Sequence, residues 1–220
     1  MTLNKNAPEQ HVLSFIQDII DDRQSLVITL RDDTESVIGK LVPLTRKHLE
    51  NEQVIGKLTD WRNANMQFFL TQFTATPERT KTWLDQVVFK TPTQLMFLIY
   101  AGDDMIGHFG FKDLTADDVM LDNAMRGERG GHPKLLQIAG RALIEWLFSK
   151  TGVKKVLGYV LSNNASAIMM NRTMGFGGWH KYPLNKSLVD GETRLVLGER
   201  GAASNDNIYC YYIEIDRSGC

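Results

Sequence analysis

The chain is 220 residues long, with 43 % hydrophobic and 23 % charged residues, a composition that fits a folded domain and excludes disorder or low complexity as a description of the whole. Lys and Arg total 25 and Asp and Glu 26, a formal net charge of -1, so no large field of one sign draws in nucleic acid or an anionic membrane. Cys210 and Cys220 belong to no CxxC or Cys/His cluster; no metal site and no disulfide scaffold is expected, and a reduced, cytoplasmic protein is. The opening stretch MTLNKNAPEQ lacks a signal pattern, and the apolar runs are strand-sized, so no membrane span is expected.

Residues 8–23 read as a helix, with Pro8 in its first turn and Val12, Phe15, Ile16, Ile19 and Ile20 as one apolar stripe. The acidic pair Asp21-Asp22 closes it awkwardly. Two extended segments follow, Leu26–Arg31 and Ser36–Leu44, around the polar turn Asp32–Glu35. Thr45 caps a predicted helix running through Leu49, Val54 and Leu58 to Trp61, weakened by Gly56. Thr76-Pro77-Glu78 is a stronger helix start, with Trp83, Leu84, Val87 and Val88 behind it. The period then changes. Leu95–Tyr100, Met105–Lys112 and Asp117–Met125 read as three antiparallel strands.

A polar turn, Arg126-Gly127-Glu128-Arg129-Gly130-Gly131-His132-Pro133-Lys134, leads into a long helix from Leu135 that stops at Thr151-Gly152. Strand Val153–Leu161, helix Asn163–Met174, the stop Gly175 and strand Phe176–Tyr182 come next. Polar turns at Asp190-Gly191 and Ser204–Asp206 precede a last strand, Ile208–Ile215, with Tyr209, Tyr211 and Ile213 on one face. The pattern is a mixed α+β domain with one βαβ crossover over residues 117–161. Residues 1–39 read as a helix-plus-strand extension of the domain formed by residues 40–220.

The strand–glycine turn–helix unit carries the most chemistry. A helix N-terminus offers unpaired N–H groups and partial positive charge, and glycines let a pyrophosphate approach them. Arg126, Arg129 and Lys134 add cations. Neither a P-loop nor a dinucleotide fingerprint is present. The order of glycine turn, long helix, Gly152–Val156, Asn164, Ala167-Ile168 and Gly175-Phe176 resembles the GNAT superfamily of acyl-CoA-dependent N-acyltransferases, whose pattern runs from a glycine turn through N-x-x-A-hydrophobic to a G-F pair. Trp61-Arg62-Asn63, Thr76–Glu78 and the Met105–His108 hairpin resemble the opening of its branch of ribosomal-protein and amino-sugar acetyltransferases. The likeness spans residues 40–182.

That resemblance implies a central, mostly antiparallel mixed sheet with flanking helices. It also implies direct transfer of an acetyl group from acetyl-CoA to a primary amine, on a small amino compound, an amino sugar or a protein N-terminus, without metal. Acetyl-CoA would be held by Asn123, Ala124, Met125, Arg126, Arg129, Gly130, Gly131, His132, Lys134, Leu135, Asn164 and Ala167, with an oxyanion donor from the strand ending at Asn123–Met125. The usual turn, Q/R-x-x-G-x-G/A, is altered here, since Pro133-Lys134-Leu135 stands where the last glycine is expected; the amides of His132, Lys134 and Leu135 would then face the pyrophosphate. Many relatives carry a general-acid Tyr seven residues after the Asn, and here that position is Asn171. Asp122, His108 and Glu128 are the candidate bases. His11, His48 and His180 have no partner spacing, and Asp32, Asp33, Asp103 and Asp104 read as solvated turns. No nucleic-acid or membrane partner is expected, and the last strand could serve a homodimer. The alternative is an inactive acyl-CoA-binding or protein-interaction module of the same fold.

Overall fold

A computed structural model describes residues 7–217; Cys220 and the first six residues of the opening stretch lie outside it. Ten strands form one sheet: β1 (Ile28–Arg31), β2 (Val37–Pro43), β3 (Thr71–Gln72), β4 (Leu95–Ala101), β5 (Asp104–Lys112), β6 (Asp118–Arg126), β7 (Lys155–Leu161), β8 (Gly177–Val189), β9 (Glu192–Leu197) and β10 (Ile208–Asp216). Their order is β1-β2-β4-β5-β6-β7-β10-β8-β9-β3. Among the described residues β6 and β7 make the one parallel pair, and the crossover between them is α4 (Leu135–Lys150). The other helices are α1 (Gln10–Ile20), α2 (Glu52–Ala64), α3 (Pro77–Trp83) and α5 (Ala165–Thr173). This is the mixed, mostly antiparallel α+β architecture expected from the sequence.

Strand alternation sends β5 side chains to two helical layers. Phe111, like Phe97 of β4, meets Trp146 of α4, with ring centroids 6.2 and 6.0 Å away, and Phe15 of α1 stacks on the same indole at 6.4 Å. On the opposite face His108 stacks on Trp61 of α2 at 6.1 Å. Val12, Ile16, Ile19 and Ile20 of α1 are buried in the same core as the sheet, so the isoleucine stripe is packed and not presented to a partner. The acids that end this helix are matched from elsewhere: Asp21 pairs with Arg23 and Arg46, and Asp22 with Lys47.

Three local expectations are corrected. Pro8 precedes α1, because Glu9 is the residue whose carbonyl starts the helix. The segment from Thr45 to Trp61 is two helices: a 3₁₀ turn over Arg46–Glu50, closed by reciprocal Thr45–His48 bonds, and then α2. Asn51 makes the break by accepting the Val54 N–H at 3.1 Å, a capping role that outcompetes helix continuation. The strand from Phe176 runs on to Val189 and returns as β9, a strand missing from the sequence reading. Asp190 and Gly191, at φ 53° and 77°, form the two-residue left-handed turn that suits the twist of a hairpin.

Two helical glycines make opposite predictions from the same chemistry. A Cβ on Gly56 in α2 meets nothing within 4 Å, whereas one on Gly140 in α4 would lie 2.8 Å from Phe109 Cε1 and collide with Met174 Sδ. Gly56→Ala should therefore stabilise the protein by about 0.5–1 kcal/mol. Gly140→Ala should destabilise it by about 1–3 kcal/mol, overpacking outweighing propensity. Urea midpoints of the two variants check both signs.

Candidate active site

The parallel ladder between β6 and β7 is short. Asp118, Val119 and Met120 face Lys155, Val156 and Leu157. Beyond them β6 stays with β5, while β7 stays with β10 through Tyr159↔Tyr212 and Leu161↔Cys210. The two strands part, and their facing edges lose their ladder partners.

A β-bulge bends β6 just past the parting point. His108 faces Met125 and Gly110 faces Asp122, so Phe109 alone faces both Asn123 and Ala124. Asn123 takes the left-handed conformation at φ 53°, which Asn tolerates better than most residues. Its carbonyl accepts a 2.6 Å bond from His108 Nδ1. A carbonyl only accepts, so this nitrogen carries the proton. Burial drives the His108 pKa from 6.5 down to about 4, and the ring is neutral under ordinary conditions.

The parting opens a cleft of about 460 Å³. Strand register gives its two sides different neighbours. Leu136, Asn164, Ala167 and Asn171 line it toward α4 and α5; Phe68, Phe69, Asp122 and Tyr159 line it toward α2. The cleft thus crosses the sheet, with one mouth on each face.

The turn between β6 and α4 borders the first mouth. The Arg126 guanidinium donates to the carbonyls of Glu128, His132 and Pro133 at 3.3, 3.2 and 3.2 Å, and to that of Gly130. Four carbonyls are thereby turned inward on one cation. Gly130 and Gly131 have φ 132° and 62°, and Gly127 lies so close on Trp61 that a Cβ would strike the indole. The amides of Lys134 and Leu135 do not face outward as expected: the first donates to His132 Nδ1 at 3.2 Å and the second to His132 O at 3.0 Å. Among the described residues, the α4 N–H groups of Leu136 and Gln137 find no backbone acceptor in the preceding turn and are the open donors of this helix end.

The other sequence-predicted residues are distributed as follows. Asp122 lines the cleft, paired with Lys112 Nζ at 3.1 Å and accepting from Asn123 Nδ2 at 2.9 Å. His108 lies outside the lining, beneath the bulge. Glu128 is held by Lys57 of α2 at 2.6 Å. Asn164 caps α5, accepting the Ala167 N–H at 3.1 Å, and Asn171 donates to the Ala167 carbonyl at 2.8 Å; both also border the cleft. Arg129 is exposed, and Lys134 reaches Asp33 at 3.7 Å. Sequence reasoning missed Asn65, Phe68, Phe69 and Leu70, which sit in the short 3₁₀ turn Met66–Phe68 and the residues flanking it, a stretch too short to show a period. It also missed Tyr159, whose place opposite Val160 follows from strand alternation. Among the described residues no group of His, Cys, Asp or Glu is arranged to hold a metal ion, and no helix is long and apolar enough to cross a membrane.

Solved structures of acetyltransferases share this fold. A probable GNAT-family acetyltransferase from Chromobacterium violaceum is 13% identical, with a TM-score of 0.63 over 87% of each chain. A spermidine N-acetyltransferase from Vibrio cholerae, in complex with CoA and spermine, is 11% identical, with a TM-score of 0.61 over 83% of this chain and 97% of its own. A ribosomal-protein-S5-alanine acetyltransferase from Vibrio fischeri is 12% identical, with a TM-score of 0.62 over 84% and 97%. No curated protein matches the chain by sequence. The family model described as acetyltransferase (GNAT) domain matches residues 40–177. The chain belongs to the GNAT acetyltransferase family and is an acyltransferase.

The buried His108 makes stability depend on pH. Its folded pKa is depressed, so the unfolded chain binds the extra proton first. The contribution is complete above about pH 6.5 and is lost as pH falls toward 4. The fall from 6.5 to about 4 corresponds to about 3 kcal/mol. Chemical denaturation at pH 7, 5.5 and 4 should show a clearly steeper loss in the parent protein than in His108→Gln, where His48, also held low by burial, still contributes a slope of the same sign.

Proposed function

We propose that this protein transfers the acetyl group of acetyl-CoA to a primary amine by direct attack, with both substrates bound at once. The observation that carries the reading is the early end of the β6–β7 ladder. It leaves strand edges that a pantetheine arm, with its two amides, can pair with as an added strand. The same edge runs to the glycine turn, where the Leu136 and Gln137 amides and the exposed Arg129 suit the pyrophosphate. Arg126 supports this site indirectly, by drawing the carbonyls of the turn away from the anion.

The acceptor enters from the α2 face. An ammonium has no lone pair, so it must first give up a proton. Asp122 is the ionisable group in the cleft placed to orient the amine and receive that proton, directly or through water. The amine nitrogen then attacks the thioester carbon. The developing oxyanion is stabilised by a backbone N–H of the bulged strand at Asn123–Ala124, the two residues that share Phe109 as their partner across the ladder. Cys210 also borders the cleft, but burial pushes its thiol up to about 11. It stays protonated and is a poor nucleophile, which favours direct transfer over a covalent acyl-enzyme.

Two linked measurements test this. Saturating acetyl-CoA at ~100 times its Kd should stabilise the fold by ~2.7 kcal/mol, raising Tm by roughly 5–10 °C, while adenosine diphosphate raises it far less. Asp122→Asn should keep that shift and lower kcat at neutral pH by at least about tenfold. A shift without turnover of any amine would favour the inactive binding module; no shift would overturn the reading.

A further inference from the structure

The half of the cleft that faces α2 has a composition that narrows the acceptor. Phe68, Leu70 and Tyr159 stand 38, 44 and 44 % exposed there, with Phe69 beside them. Among the described residues, the charged side chains lining the whole cleft are Asp122 and Arg126. Arg126 is committed to the carbonyls of its own turn, and Asp122 is already paired with Lys112. The next acids on this face of the sheet are Asp118, which accepts from Thr115 Oγ1 at 3.0 Å, and Glu214 and Asp216, which share Lys155 at 3.1 and 3.7 Å. They face Leu157 and Lys155, at rungs where β6 and β7 are still joined, past the closed end of the cleft.

Resting on the acetyl-transfer reading, we propose that the acceptor is a primary amine at the end of an apolar aromatic body, of the 2-arylethylamine class. One ammonium matches one half-neutralised carboxylate, and an aryl ring covers the exposed Phe68 and Tyr159 surfaces in edge or offset stacking. Other amines fit this wall poorly. A polyamine brings further ammonium groups that find no acid in the cleft. An amino sugar or a peptide brings several hydroxyls or amides; this half of the cleft offers them the Tyr159 hydroxyl and the Asn65 amide, whose Nδ2 already donates to the Trp61 carbonyl at 2.9 Å, and the rest meet hydrocarbon and lose their hydrogen bonds to water. The reaction balances without a co-reactant. The ammonium loses one proton to Asp122 or water and the N–C bond forms. The nitrogen of the tetrahedral adduct, now cationic, gives up its second proton, the C–S bond breaks as the carbonyl re-forms, and the departing thiolate of CoA takes up a proton to become a thiol.

The test is a CoA-release assay on the full chain at fixed acetyl-CoA. Its acceptors are 2-phenylethylamine, propylamine, spermidine, glucosamine and an alanine-leading tetrapeptide. The expected result is a kcat/KM for 2-phenylethylamine at least about tenfold above each of the others. Phe68→Ala and Tyr159→Ala should each reduce its advantage over propylamine several-fold, since propylamine has no ring to lose. A preference for spermidine, glucosamine or the tetrapeptide overturns the proposal. So does absence of turnover with 2-phenylethylamine when acetyl-CoA still raises Tm, and in that case the acetyl-CoA site stands. Absence of the Tm shift overturns the acetyl-transfer reading and this inference with it.

Discussion

The bond from His108 to the Asn123 carbonyl holds the geometry on which the site depends. Parting from β7 leaves alternate β6 amides without a ladder partner, and the extra residue in β6 resets which of them point into the cleft. A left-handed Asn is the conformational cost, on the order of 1 kcal/mol. The buried imidazole offsets it. Its Nδ1–H gives the carbonyl a partner inside the core, and a net bond of about 1 kcal/mol replaces a desolvation penalty that an orphaned carbonyl would carry. His108 sits under the site and shapes the strand that forms it, a role distinct from the proton transfer expected of it from sequence.

α2 ties the two mouths of the cleft together. Lys57 holds Glu128 of the glycine turn, and Trp61 lies against both Gly127 and His108. Asn65 borders the cleft. Arg62 donates to the Thr71 carbonyl at 2.9 Å and stacks on Phe73 at 3.8 Å, fastening the segment that carries Phe68 and Leu70. The glycine turn, the bulge and the aromatic wall of the cleft therefore share one support. A change in α2 can shift both mouths of the cleft, because each wall is pinned to it within one or two side chains.

Local rules made part of this legible. The βαβ crossover, the glycine turn, the Asn164 cap and the Gly175 stop are each set by residues a few positions apart, and the structure contains all four. The bulge is set by a histidine on the neighbouring strand, so nothing around Asn123 announces it. The wall from Phe68 to Leu70 has no period, because it is held by Arg62 and by two rungs between β3 and β9. The break at Asn51 was available in principle, as a cap residue three positions before Val54, but the apolar spacing on both sides of it reads as continuous. Asp122 was legible as a polar residue near the end of a strand; its ion pair with Lys112 requires knowing that β5 and β6 are neighbours in a given register.

Asn171 stands where many relatives place a phenol, and its amide Nδ2 is engaged by the Ala167 carbonyl. In the proposed reaction this substitution removes little. The leaving group is a thiolate, whose conjugate acid has a pKa of about 8.5, so it departs without a proton already in transit and can take one from water afterwards. The demanding proton transfer is at the other end, where an alkylammonium with a pKa of about 10 must be converted to a free amine. Deprotonation there is favoured by the apolar wall, which disfavours the charged form of the amine, while Lys112 limits how strongly Asp122 retains it as an ion pair. The residues around the cleft thus concentrate their effect on the nucleophile, and the leaving group is left to its own chemistry.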